Sequence, residues 1–278
     1  MMKTFSTKLR LEKFAACTAI IMLIPFTAVQ AAVISADISI SAETMFDNAN
    51  SFGDTSGEFS LISGAATTTN SYTGSTAVGT NPFSGTLLNT GDGIGFTGVV
   101  SVTDEAFIIG FDSVINLQNT SASMTYDIIF KLVFSNTVNS FGLDAYADSE
   151  FVVFEGDPQE FFSDIKSDTV NGNEVAGVLV DPAASGGTLS ESSTELFNYV
   201  LNPLDTFDLS LFWTLEGGDF DTGSSEASFS QFLSIDSVIA RSVPPVPSVP
   251  GPNSLSIFVL ALAGLVAKQI SKSRKYSN

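Results

Sequence analysis

Two stretches of the chain alternate between apolar and polar residues. In the first, every second side chain from Tyr126 to Phe134 is apolar, and Asp127 and Lys131 stand between them. In the second, from Phe207 to Glu216, every second side chain from Phe207 to Leu215 is apolar, and Asp208, Ser210, Thr214 and Glu216 stand between them. A period of two residues places the apolar side chains on one face of a strand. Both stretches are therefore predicted to be strands of a sheet with one buried face.

Shorter stretches with weaker alternation predict further strands between turn residues. They are Val33 to Ile40, Gly95 to Val102, Phe107 to Ile115, Glu150 to Phe154, Val175 to Val180 and Ala227 to Ala240. Residues 63–86 are polar and rich in turn residues, which predicts a long loop or an irregular edge. No long amphipathic helix pattern and no internal repeat is found. The pattern predicts an all-β fold, a β-sandwich of jelly-roll type spanning residues 32–241.

The first 31 residues have the three parts of a secretory signal peptide. A basic start precedes an apolar stretch over residues 14–26, and Val29 and Ala31 then provide small side chains. The basic residues are Lys3, Lys8, Arg10 and Lys13. We predict cleavage after Ala31. The alternative is a permanent N-terminal anchor, but the apolar stretch is short for a spanning helix and polar, strand-like sequence follows at once.

Cleavage after Ala31 would leave a chain without cysteine or histidine. Cys17 is the single cysteine of the sequence, and histidine is absent. The mature chain would then form no disulfide, and catalysis by a Cys/His pair or a Ser-His-Asp triad is excluded. Ordinary zinc sites are excluded for the same reason.

The C-terminal part has a Pro-rich linker over residues 242–253 and an apolar run followed by a basic end over residues 254–275. The run from Leu255 to Ala267 is shorter than the ~20 residues that a spanning helix needs, so a buried core helix is an alternative. The linker separates the run from the body, and basic residues directly after it favour a membrane-inserted helix with a cytoplasmic C-terminal end. Those residues are Lys268, Lys272, Arg274 and Lys275.

A Pro motif, a short apolar helix and a basic end, following a signal peptide, resemble the PEP-CTERM sorting signal of Gram-negative bacteria. Val249, Pro250 and Pro252 match the usual Val-Pro-Glu-Pro core, with Gly251 in place of Glu. The resemblance covers about a tenth of the chain. It implies a transient stop in the inner membrane and recognition by an exosortase, followed by a cell-surface or extracellular location.

Charge is distributed unevenly along the chain, whose net charge is −19. Of the 11 basic residues, only Lys131, Lys166 and Arg241 lie between Lys13 and Lys268, whereas 29 of the 30 acidic residues lie there. This stretch therefore has a net charge of about −26, which excludes nucleic acid as a partner because phosphate binding needs Lys and Arg. Such a charge is compatible with divalent cations.

Two acidic stretches are candidates for a Ca²⁺ site. Asp219, Asp221 and Glu226 are spaced so that their carboxylates can converge on a hard cation, although the spacing differs from that of an EF-hand loop. The alternative is an acidic hairpin turn in water. A second cluster contains Glu155, Asp157, Glu160 and Asp164, for which a solvated loop is the simpler interpretation. No other cofactor is predicted.

Three classes of function fit the sequence. The leading hypothesis is a non-enzymatic surface or matrix protein with a structural or adhesive body that associates with exopolysaccharide. The second is a carbohydrate-binding module, assisted by Ca²⁺. The third is a polysaccharide-processing enzyme with a carboxylate pair, although so many acids make some pair inevitable. Trp213 lies on the apolar face of its predicted strand, so it is assigned to the core and not to a sugar-binding site.

Overall fold

The computed structural model describes residues 32–49, 54–73, 76, 83–155, 159–181 and 186–242. The cleavage residues Val29 and Ala31, the sorting motif at 249–252 and the basic end at 268–275 lie outside the described residues, as does Asp157. The predictions made for them stay predictions. Within the described ranges, no helix has the length and apolarity that a membrane crossing requires.

The described chain forms fourteen strands in two antiparallel sheets. The strands are β1 (Ile38–Ala49), β2 (Asp54–Ser63), β3 (Ala66–Thr73), β4 (Phe83–Thr86), β5 (Gly93–Val102), β6 (Ala106–Asn119), β7 (Met124–Phe141), β8 (Ala145–Glu155), β9 (Gln159–Asp168), β10 (Asn173–Val175), β11 (Val178–Asp181), β12 (Gly187–Leu201), β13 (Thr206–Asp219) and β14 (Ser224–Ser242). One sheet has eight strands in the order β11-β10-β9-β8-β13-β6-β1-β4, and the other has six in the order β12-β7-β14-β5-β2-β3.

The strand pairing is that of a jelly roll with added strands. β5 pairs with β14, β6 with β13, β7 with β12, and β8 with β9. These nested antiparallel pairs are divided between a β12-β7-β14-β5 set and a β9-β8-β13-β6 set, which face each other. β1 and β4 extend one sheet beyond β6, β2 and β3 extend the other beyond β5, and β10 and β11 extend the first beyond β9.

The two strongest alternation patterns are confirmed as β7 and β13, and their apolar positions are buried. Residues 63–86 contain β3 and β4, each at an edge of its sheet, which agrees with the irregular edge predicted there. Two weaker predictions are wrong in detail. The first strand begins at Ile38, later than predicted. The stretch from Val175 to Val180 is a hairpin whose central residues, Ala176 and Gly177, have φ of 51° and 70°. Positive φ at both positions is the geometry of a two-residue hairpin turn, which alternation alone does not indicate.

The core between the sheets is aromatic. Trp213 is fully buried, as predicted, with its ring centroid 4.7 Å from that of Phe151 on β8 and 4.4 Å from that of Phe229 on the facing sheet. Its indole Nε1 donates a hydrogen bond of 2.9 Å to the hydroxyl of Ser149. The ring packs on its neighbours and its polar atom is paired, so Trp213 stabilises the interior and is not available to a ligand.

Both ends of the described body lie at one end of the sandwich, here called the exit end. Ile38 pairs with Asn119, whose Nδ2 donates a hydrogen bond of 2.8 Å to the carbonyl of Met124, and Met124 pairs with Ser242. The opposite end, the loop end, carries the β7–β8 and β13–β14 turns, where Leu143 and Phe220 are exposed. The first and last described residues therefore lie at this end and do not cover either outer face of the sandwich.

Candidate functional site: the two outer faces of the sandwich

The outer face of the eight-stranded sheet carries a carboxyl cluster, here called the acidic face, formed by Asp148, Glu150, Asp164 and Glu216. Glu150 stands opposite Asp164 on β9, and Asp148 stands opposite Glu216 on β13. Lys166 is the one basic residue beside them, opposite Asp148. Like charges directly opposite each other across paired strands repel, so the register makes this surface electrostatically strained.

Three carboxyls of the acidic face have raised pKa values. Burial, with the charges of Asp164 and Glu216, raises the pKa of Asp148 to about 7, although the ammonium group of Lys166 opposes the shift. Burial and the nearby Glu174 also raise the pKa of Asp164, while the hydrogen bond between Asp164 and Asp148 lowers it. Burial, with Asp164 and Glu216, raises the pKa of Glu150. Neighbouring carboxyls repel each other when both are ionised, so the titrations of Asp148 and Asp164 are coupled.

A row of apolar side chains borders the carboxyls. Phe162 on β9 stands opposite Val152 on β8, which stands opposite Phe212 on β13. Val152 is only 3% exposed although it points away from the core, because the two rings cover it, and Phe162 is 40% exposed. The acidic face therefore combines an exposed ring edge with carboxylate acceptors.

Carboxyl groups of unequal pKa are what acid–base hydrolysis of sugars uses. These carboxyls lie on the outer face of a sheet, side by side on paired strands, so they can accept hydrogen bonds and store a proton. Among the described residues, no group of three or more Asp or Glu side chains is arranged to hold a metal ion.

The predicted Ca²⁺ ligands occupy three different environments. Asp219 ends β13 and is 1% exposed, and its Oδ2 accepts the backbone N–H of Gly223 at 2.7 Å and that of Asp104 at 3.3 Å. Its Oδ1 accepts the N–H of Asp221 at 3.3 Å. Asp221 is exposed in the turn, and Glu226 lies on β14 opposite Ser101. Asp219 thus organises the β13–β14 loop, and coordination of Ca²⁺ by these residues stays a prediction.

The second acidic stretch contributes one member to the acidic face. Asp164 is on β9 with the carboxyls described above, and Glu160 is exposed on the same strand. The side chain of Glu155 and all of Asp157 lie outside the described residues.

The outer face of the six-stranded sheet carries a group of apolar side chains on β12, β7 and β14, at one edge of the sheet. We call this area the front patch; its side chains are Ile129, Val133, Leu196, Val200, Phe232 and Ile239. Leu196 is 63% exposed and Val200 51%, both on the edge strand β12. Val133 stands opposite Phe232, whereas Leu196 stands opposite Lys131 and Val200 stands opposite Asp127. Several exposed apolar side chains grouped on one sheet face mark an interaction surface more often than isolated ones do.

A single cation stands within the front patch. Lys131 on β7 lies between Leu196 on β12 and Ser234 on β14, and it forms no ion pair among the described residues. Arg241 lies on the same face and pairs with Asp127, its Nε donating a hydrogen bond of 2.6 Å to Oδ2. Two of the three basic residues of the body are therefore on this face.

Short hydroxyl side chains border the front patch. One row across the sheet contains Ser192, Ser135, Ser230 and Thr97 on β12, β7, β14 and β5. The next row contains Ser190, Thr137 and Ser228. Apolar side chains with a polar, weakly charged border are typical of a protein interface.

Sequence reasoning missed both faces. Asp148 and Glu150 are two residues apart, as are Asp164 and Lys166, so alternation places each pair on one face of its strand. That signal was available, but it does not say which strands are neighbours. β12 was not predicted, because Glu191, Ser193 and Glu195 interrupt the apolar residues at the inward positions in the first part of the strand.

No family model matches the chain, and no curated protein matches it. Solved structures of infectious bursal disease virus are similar over most of the chain but only loosely. The Gx strain structure has 10% identity, a TM-score of 0.16 and coverage of 88% of this chain and 80% of the viral chain. The VP2 subviral particle has 10% identity, a TM-score of 0.14 and coverage of 86% and 77%. At these TM-scores the similarity carries no argument about fold or function.

Proposed function

We propose that this chain is the precursor of an exported cell-surface or extracellular-matrix protein with a structural or adhesive β-sandwich body. The observation that carries the proposal is the shared exit end, where Ile38 and Ser242 are joined through Asn119 and Met124. A body held at one end extends both outer faces and the loop end away from its attachment. This arrangement suits a module that acts by contact.

The sequence features at the two ends supply the route. Residues 1–31 direct export, and the apolar run from Leu255 to Ala267 stops in the inner membrane, with Lys268, Lys272, Arg274 and Lys275 on the cytoplasmic side. An exosortase-type enzyme then recognises the motif from Val249 to Pro252 and releases or re-anchors the body, which associates with exopolysaccharide. In this proposal the body acts through its surfaces and not by catalysis.

The sorting route is tested by charge in the apolar run. Val259→Asp with Leu262→Asp places two charges near its middle, each costing roughly 3 kcal/mol of insertion free energy. Cell fractionation with an antibody to the body should find this variant released to the periplasm, in an exosortase-bearing host. The control, Ser248→Asp with Asn253→Asp, adds the same charges in the linker and should stay with the inner membrane. Parent-like fractionation of the first variant would refute the membrane stop.

Carbohydrate binding is a second candidate for the body, favoured by the exposed ring of Phe162 one row from Glu150 and Asp164. An aromatic ring beside carboxylate acceptors is suited to a sugar ring and its hydroxyls. Binding on a glycan array without bond cleavage, lost in Phe162→Ala, would support this candidate. Release of sugar products from a matrix polysaccharide would instead support the enzyme hypothesis.

A further inference from the structure

The front patch and the acidic face lie on opposite sides of one sandwich and have complementary properties. The front patch surrounds Lys131, which has no ion-pair partner among the described residues. The acidic face has four carboxyls with Lys166 as the one base beside them. A body with a net charge near −26 thus has a cation without an ion-pair partner on one described face and a group of four carboxyls on the other.

Each face also has an apolar row that can pack against the other. On the front patch, Val133 stands opposite Phe232, with Leu196 one row away. On the acidic face, Phe162, Val152 and Phe212 form a row directly beside Glu150 and Asp164. In both cases the apolar row runs across the strands and the charged groups occupy the next row. Apolar contact and charge pairing can therefore form together in one interface.

We propose that copies of this chain stack front to back, with the front patch of one copy against the acidic face of the next. Charge selects this arrangement over the two symmetric ones. A front-to-front pair places the Lys131 residues of both copies in one interface, where like charges repel. A back-to-back pair likewise places two carboxyl clusters in one interface. Front-to-back stacking instead brings the unpaired cation to the carboxyls.

Front-to-back association joins two different surfaces, so it leaves a free surface of each kind at the ends of every stack. Such heterologous contacts produce open arrays unless the rotation closes a ring. Ile38 and Ser242 lie at the exit end, outside both apolar rows. This inference deepens the proposed function by naming a second copy as the partner, and it rests on that function only for its biological setting.

The test uses full-length protein in detergent and measures sedimentation over a range of protein concentrations. The front variant is Leu196→Asp and the back variant is Phe162→Asp, each adding an acid at an exposed apolar position. Leu143→Asp, at an equally exposed leucine of the loop end, is the control. The apolar tail is the same in every variant, so association through it is common to all and differences report on the faces.

We expect the parent and the control to self-associate, and each face variant to associate about tenfold more weakly or not at all. The decisive measurement mixes the two variants. The front variant keeps an intact acidic face and the back variant an intact front patch, so the mixture should form a one-to-one pair that grows no further.

Three outcomes would overturn the proposal. The first is a parent that sediments as a monomer at every concentration, and the second is a back variant that self-associates like the parent. The third is a mixture that stays monomeric although both variants keep the parent's circular dichroism and melting temperature. The second outcome would indicate front-to-front contact. None of these results depends on export or tail processing, so failure of stacking and failure of the sorting proposal are distinguishable.

Discussion

Tyr72 on β3 lies over Gly98 on β5, and its hydroxyl occupies the space that a Cβ at Gly98 would need. The same hydroxyl donates a hydrogen bond of 2.9 Å to the carbonyl of Thr97, and Tyr72 is only 2% exposed. Gly57, on the strand between them, makes room for the same ring. The absence of side chains at Gly57 and Gly98 thus lets the ring of Tyr72 pack on the inner face of the six-stranded sheet.

Gly98→Ala should therefore destabilise the fold by about 2 kcal/mol, the typical cost of overpacking a filled core. The added methyl group meets both Tyr72 and the ring of Phe229, so neither neighbour can move without displacing the other aromatic residues. Urea unfolding at pH 7 measures the change. Thr97→Ala, at the exposed neighbouring position, should cost much less, and equal stability of Gly98→Ala and the parent would contradict this packing argument.

Alternation made β7 and β13 predictable because each has a neighbouring strand on both sides and buries one face against the core. The edge strand β12 was not predictable in this way, since its inward Glu191 accepts a hydrogen bond of 2.6 Å from Ser163 where an apolar residue would be expected. A charged side chain that points inward at a sheet edge hinders pairing with other strands. The acidic residues at inward positions of β12 therefore reflect protection of the sheet edge against further pairing more than burial in the core.

Both candidate faces depend on strand register, which joins residues distant in the sequence. Lys131 meets Leu196 because β7 pairs with β12, and Glu150 meets Asp164 because β8 pairs with β9. Alternation says which residues share a face of one strand but not which strands adjoin. The jelly-roll prediction narrowed the topology, but it did not specify these neighbours.

Asp148→Asn should stabilise the protein at pH 8. Burial and neighbouring acids raise the pKa of Asp148 from 3.8 to about 7, so the folded state binds its proton more tightly than the unfolded state does. The contribution of Asp148 to the free energy of unfolding is therefore fully present below pH 4 and is lost as pH rises through 7. Asn mimics the neutral form and avoids that loss. After allowance for solvent screening, we expect about 1 kcal/mol, or a melting temperature ~2–4 °C higher at pH 8.

The difference between Asp148→Asn and the parent should shrink as pH falls from 8 to 5, measured by thermal unfolding at constant ionic strength. Asp208→Asn, at an exposed acid of β13, controls for the loss of one charge. A difference that does not change with pH would show that Asp148 is ionised in the folded protein throughout this range.

Asp168 should have the opposite effect on stability in acid. Burial alone would raise the pKa of Asp168, but hydrogen bonds from Asn171 and from the backbone of Val170 outweigh it, so the pKa lies below its usual value. Stability from this group is present above the unfolded pKa and is lost as pH falls through the folded value. Asp168→Asn should therefore destabilise the protein at pH 7 and have less effect at pH 2, which thermal unfolding can measure.

Arg241→Gln should cost about 2 kcal/mol, because it leaves the carboxylate of Asp127 without its cation. Asp127 is 5% exposed, and its Oδ1 has no hydrogen-bond partner among the described residues, so it depends on Arg241 for the other oxygen. Adding Asp127→Asn to Arg241→Gln should recover most of the loss in urea unfolding. Lys131→Gln, which breaks no described ion pair, is the control. An equal loss in both single variants would mean that the Arg241 pair contributes nothing specific.

Millimolar Ca²⁺ should raise the melting temperature more than NaCl of equal ionic strength does, if carboxylates such as Asp221 and Glu226 bind it specifically. Both salts screen the repulsion of an acidic body, so only the excess shift in melting temperature with Ca²⁺ reports binding.

Asp219 differs from the other candidate ligands, since its two oxygens already accept the backbone N–H groups of Asp104, Asp221 and Gly223. Asp219→Ala should therefore lower stability with and without Ca²⁺, by about 2 kcal/mol for a buried acceptor whose donors are left unpaired. Asp221→Asn, at an exposed position, should leave stability in NaCl unchanged and remove the excess shift with Ca²⁺. Equal shifts in the two salts for the parent would show screening alone and would exclude a specific Ca²⁺ site at this loop.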